Sequence, residues 1–220
     1  MSLRARAVSV VLLAAVLSGG LAFYIFGFAR QRPATVVIGA SDGGVAKVRL
    51  QTVAQLGYGP KADWVSYLIE RPDGEWEHST IFQVPAHSVV EITILQYDGA
   101  TPPRNPFWGK VIGTEGGSMT VDGKEVTFLN PETDIGHTFT MPNFGVYVPL
   151  AAVADDAKNQ CQVAPCTEDQ AHRTITFRIK TGAPGTFRFQ CIIPCAAGFA
   201  QGWGGPMQTI GYMDGLMEVV

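Results

Sequence analysis

From Ala7 to Ala29 the chain carries no charged residue and is mostly apolar; beyond Pro33 it changes to short alternating stretches parted by turn residues. About 20 apolar residues suffice for a helix to cross a bilayer, so the first stretch predicts a transmembrane helix, closed off by Arg4 and Arg6 before it and Arg30 and Arg32 after it. A cleaved signal peptide is the competing reading. Val8–Leu17 would be its apolar region and Ser18, Gly19 and Gly20 its small residues, but Leu21–Phe28 continues the apolar run well past them. The chain is therefore divided into an anchor, residues 1–32, and a domain, residues 33–220.

Within the domain the pattern has period two. In Ala46–Thr52, Ala46, Val48 and Leu50 alternate with Lys47, Arg49 and Gln51, as in a half-buried strand. Thr174–Ile179 alternates in the same way. Further strands are expected at Thr35–Ile38, Trp64–Ile69, Ile81–Val84, Val89–Tyr97, Ser118–Val121, Glu125–Phe128, Ile135–Met141, Phe144–Val148, Phe187–Cys191 and Leu216–Val220. Asp122-Gly123 predicts a tight hairpin, because both residues tolerate the positive φ of a type I′ turn. Gly99–Gly117 reads as a long surface loop. Ala151–Arg173 is polar, has no strand pattern and reads as an insertion. Many short strands between turns predict a mainly β fold, a Greek-key sandwich or barrel preceded by one helix.

Composition narrows the chemistry. The 220 residues include 25 Gly and 14 Pro, and the net charge of -3 without a basic run gives no reason to expect nucleic acid as a partner. The four cysteines form two close pairs, Cys161 with Cys166 and Cys191 with Cys195. Close pairs suit an oxidising or metal-bearing exterior compartment, which would place the domain on the periplasmic or extracellular side. The flanking arginines are equal in number and hardly orient the helix.

A zinc site needs four ligands, and near Cys161 and Cys166 only His172 adds a third, so that pair is expected to be a disulfide. Cys191 and Cys195 can share one metal or one disulfide. Thiolates favour copper, zinc or iron–sulfur clusters. Ser79, Ser88 and Ser118 lack the context of an activated nucleophile, Asp155 and Asp156 lie in a polar loop, and His87 reads as a rim residue. An enzyme acting alone is not expected.

Two segments carry a family resemblance. ETDIGHTFTMPNFGV, Glu132–Val146, is similar to the histidine-bearing strand and turn of subunit II of haem–copper oxidases, and TFRIKTGAPGTFRFQCIIPC, Thr176–Cys195, resembles that family's approach to its dinuclear copper site. The resemblance implies a cupredoxin fold. It places His137 at the first imidazole ligand, Cys191 and Cys195 at the bridging thiolates and Ile193 at the backbone carbonyl ligand. The second imidazole position holds Phe199 and the methionine position Gly202, and no histidine follows His172. Met207, in an apparent insertion over Gln201–Gln208, is a candidate for a substitute thioether. Phe199 has no lone pair to give, so an intact dinuclear centre is not expected.

Three readings remain. The sandwich is a structural or docking subunit of a membrane redox complex, with a degenerate copper site and a Cys191–Cys195 disulfide. Alternatively, His137, Cys191, Cys195 and Met207 hold a single copper for electron transfer or copper delivery. Thiol–disulfide exchange is the third, and Pro194 with its β context speaks against it.

Overall fold

The computed structural model describes residues 2–29, 32–40, 44–194 and 204–220. These fall into two compact units, 1–32 and 33–220. In the first, helix α1, Leu3–Tyr24, begins at Ser2, whose hydroxyl accepts from the Ala5 N–H at 3.3 Å, and passes into a π-helical turn, Ile25–Ala29. Such a side-chain acceptor satisfies one of the amide groups left open at a helix start. Residues 4–27 are long and apolar enough to cross a membrane.

The second unit holds thirteen described strands: β1 Thr35–Val37, β2 Val45–Val53, β3 Ser66–Glu70, β4 Trp76–Glu77, β5 Ile81–Val84, β6 Val89–Gln96, β7 Met119–Val121, β8 Lys124–Val126, β9 Ile135–Met141, β10 Val146–Ala151, β11 Arg173–Lys180, β12 Gly185–Gln190 and β13 Asp214–Val219. They form two sheets. One has the order β1-β5-β13-β12-β9-β10 and the other β4-β3-β2-β6-β11-β7-β8. This mainly β, two-sheet sandwich, preceded in sequence by one apolar helix, agrees with the expected fold class.

The alternation seen in the sequence becomes two separate cores. Val48, Leu50, Tyr67, Ile69, Ile92 and Ile94 face the interior between the sheets and pack with Phe82, Phe139 and Phe189. Residues of the opposite parity, Leu68, Leu95 and Tyr97, join Val53, Leu56, Cys161 and Cys166 in a second cluster on the other face of the seven-stranded sheet. What covers that face is the insertion. A disulfide joins Cys161 to Cys166, and Arg49 on β2 reaches both Glu70, at 2.6 Å, and Glu168 of the insertion, at 2.5 Å.

The boundaries differ from the expected ones where backbone geometry overrides apolar pattern. Phe144 does not open a strand: Pro142–Phe144 is a 3-10 turn that leaves through Gly145 at φ 63°, and the strand starts at Val146. Ala151 and Arg173 belong to β10 and β11, so the irregular insertion is 152–172. The loop 99–117 is not wholly on the surface. Val111 is buried, Trp108 packs against the main core, and Ile112 exchanges two backbone hydrogen bonds with Tyr147, at 2.8 and 2.9 Å. Asp122 and Gly123 take φ of 50° and 77°, as their hairpin turn requires.

Candidate metal centre

Strand β9 lies between β12 and β10 in its sheet, and all seven of its residues are buried. The register sets Gln190, the last residue of β12, opposite Thr140. Cys191, one step further, therefore arrives beside the earlier part of β9. Its sulfur lies 3.7 Å from Thr138 Oγ1 and 3.8 Å from the Ile193 carbonyl oxygen. Two hydrogen bonds from backbone N–H groups fix this end of the strand: Ile192 N–H donates to the Thr138 side-chain Oγ1 at 2.9 Å, and Cys191 N–H donates to the Met213 carbonyl at 2.9 Å.

His137 has no exposed surface. Its Nε2 is 2.9 Å from Asp98 Oδ2, a carboxylate from the end of β6 in the other sheet. Its Nδ1 is buried and makes no hydrogen bond of normal geometry among the described residues; the polar group on that side of the ring is the Cys191 sulfur, which still interacts with it. Burial alone would push the imidazole pKa down. The hydrogen bonds and charges of Asp98 and Cys191 outweigh it and raise the value to about 9. For Asp98, burial works toward a higher pKa and the His137 bond and charge toward a lower one, and the result is lowered. Tyr147 is raised, first by burial and then by the Cys191 charge, while its hydroxyl donates to the Trp108 carbonyl at 2.7 Å.

The structure thus brings His137, Cys191 and the Ile193 carbonyl together. Met207 is buried in the 3-10 turn Gly205–Gln208. That turn is tied to the site's backbone through Met213, whose N–H donates to Pro206 and whose carbonyl receives the Cys191 N–H. Cys195, Phe199 and Gly202 lie outside the described residues. Among the described residues no group of three or more His, Cys, Asp or Glu side chains is arranged to hold a metal ion. Asp98, Thr138 and Met213 were not candidates from sequence: an aspartate before a glycine reads as a turn, a strand threonine as a packing residue, and Met213 contributes only its backbone.

No family model and no curated protein matches the chain. Among solved structures it is similar to the metal-binding domain of the Cu(I)-exporting P-type ATPase CopA of Streptococcus pneumoniae D39, solved with Cu(I), at 12% identity and a TM-score of 0.36, covering 86% of this chain and 99% of that one. It is also similar to rusticyanin from Thiobacillus ferrooxidans, at 12% identity and a TM-score of 0.35, covering 84% and 82%. Likenesses this distant carry no functional argument. The oxidase resemblance rests on its two sequence segments alone.

Proposed function

We propose that residues 33–220 are a cupredoxin-type domain, held by the N-terminal helix at the outer face of a membrane, that binds one copper ion through His137 and Cys191. The observation that carries this reading is the burial of His137 beside Cys191: Nδ1 makes no hydrogen bond of normal geometry among the described residues, and the group it interacts with on that side is the Cys191 sulfur. A buried nitrogen left unsatisfied costs about 1–3 kcal/mol, and a soft metal bonded to both atoms removes that cost.

One imidazole and one thiolate form a soft, low-coordinate set that suits Cu(I). Cys195, four positions along the sequence, and Met207 are the further sulfur donors that would complete it. Copper held there supplies a one-electron couple or a transferable ion, and in either role the domain serves a membrane redox complex as a subunit. The two-metal centre of oxidase subunit II is not part of this proposal, because Phe199 stands at the position of its second imidazole.

The test is metal analysis of the full chain purified in detergent with copper. One copper per chain is expected, with a sulfur-to-copper charge-transfer band from the oxidised form that both Cys191→Ser and His137→Gln abolish. A folded protein that retains no copper would overturn the reading and favour a docking module.

A further inference from the structure

Asp98 sits in the loop that leaves β6, the central strand of the seven-stranded sheet, yet it reaches the buried His137 of the opposite sheet. Each of its polar groups is committed. Oδ2 receives the His137 ring at 2.9 Å, Oδ1 receives the Gly99 N–H at 2.7 Å, the carbonyl receives the Val153 N–H at 3.0 Å, and its own N–H donates to Gln96 Oε1 at 3.4 Å. The neighbouring strand makes room for this loop. A Cβ on Gly136 would stand 2.6 Å from the Gly99 carbonyl oxygen and would also strike the Gln96 amide, so only glycine lets 96–99 lie against β9. On its other side Asp98 lines a cleft of about 240 Å³ with Tyr97, Asp155 and Gln160. Water therefore reaches the carboxylate, 29% exposed, but not the imidazole, 0% exposed.

A neutral imidazole carries its proton on one nitrogen and its lone pair on the other, and the hydrogen bond at one nitrogen decides which. A carboxylate accepts only. We propose that Asp98 is a positioning residue that holds the proton of His137 on Nε2 and so presents the Nδ1 lone pair to copper. The role of the lone pair rests on the copper reading above; the placement of the proton does not. An outer carboxylate of this kind fixes ring orientation, and its loss typically weakens metal binding 10–100-fold.

Two measurements test it. The first uses metal-free full chain in detergent, labelled with ¹⁵N-histidine, above the His137 pKa of about 9. His137, assigned by loss of its signals in His137→Gln, should show the Nε2–H tautomer. Asp98→Asn, which keeps an acceptor oxygen, should retain that tautomer, and Asp98→Leu should lose it. The proton on Nδ1 in the wild type, or an unchanged tautomer in Asp98→Leu, would overturn the proposal; the wild-type result counts even if the leucine variant does not fold. The second is Cu(I) affinity by chelator competition, in which Asp98→Leu should bind about 10–100-fold more weakly and Asp98→Asn nearly as well as wild type. Equal affinity in all three overturns the role of Asp98. If the wild type shows the Nε2–H tautomer and yet binds no copper, the metal reading fails and the placement of the proton stands.

Discussion

Gln51 and Cys166 exchange two hydrogen bonds, the Cys166 N–H donating to Gln51 Oε1 at 2.8 Å and Gln51 Nε2 donating to the Cys166 carbonyl at 3.4 Å. A strand glutamine with no exposed surface thereby takes the place of a backbone partner for the insertion. The described insertion has no strand, and at its buried Cys166 this side chain satisfies both backbone groups.

Gln51→Leu keeps the volume and removes both partners, leaving a buried N–H and a buried C=O unmet. A loss of about 2–4 kcal/mol is expected in denaturant unfolding, at the usual cost of about 1–3 kcal/mol per unsatisfied group. A variant as stable as wild type would mean that water or another group reaches Cys166.

The disulfide acts on the same segment by a different route. Cys161 and Cys166 are five positions apart, and closing so small a loop restricts the unfolded chain by about 2 kcal/mol. Cys161→Ser with Cys166→Ser should lower stability by at least that amount without changing the strand content seen by far-ultraviolet circular dichroism. The second core adds to the cost if the serine hydroxyls stay buried, so the loss should exceed that of mild reduction of the wild type.

Arg188 and Asp214 make a two-pronged ion pair on β12 and β13. Arg188 Nε lies 2.8 and 3.0 Å from the two carboxylate oxygens, and its Nη2 also bonds Oδ2. Asp214 is 1% exposed, whereas Arg188 is half in solvent. Removing the cation strands a buried carboxylate, the costly case for an ion pair. Arg188→Met should lose about 2 kcal/mol or more in denaturant unfolding, and Arg188→Met with Asp214→Asn should regain much of it. Because Asp214 is paired with Gln190 in register, the single variant should also weaken copper binding at Cys191.

The sandwich was legible wherever one face of a strand meets a core, because burial then imposes period two, as in Ala46–Thr52 and Thr174–Ile179. Where pairing alone makes the strand, nothing in the local pattern announces it. Trp76–Glu77 is a strand only because Ile69 and Glu70 lie opposite. Phe144 is apolar and misleads, since the turn at Pro142-Asn143 runs on through it to Gly145. At the site, His137 and Cys191 could be singled out from the two family-like segments. Asp98 could not: it reaches His137 from the other sheet, 39 residues away in sequence, and that encounter is a product of packing. Gly136, whose missing side chain permits it, reads in sequence as no more than a weak position in a strand.

The pH dependence of the metal-free protein follows from the Asp98–His137 contact, with Cys191 raising the imidazole pKa in the same sense. The imidazole titrates near 9 in the folded chain and at about 6.5 in an unfolded one. A raised pKa means that the folded state holds the proton more tightly, so the stabilisation is fully present below about pH 6.5 and disappears as the pH rises through 9. The gap of about 2.5 pH units corresponds to about 3 kcal/mol. Asp98 behaves in the opposite sense. Its folded pKa lies below the ordinary carboxylate value of 3.8, so its contribution is present above that value and is lost as the pH falls through the folded one. Metal-free protein should therefore be most stable between about pH 4 and 6.5 and should soften from there to pH 9, as read from denaturation midpoints. In His137→Gln the alkaline decline should vanish; a decline of the same size in that variant would show that the stability does not come from this contact.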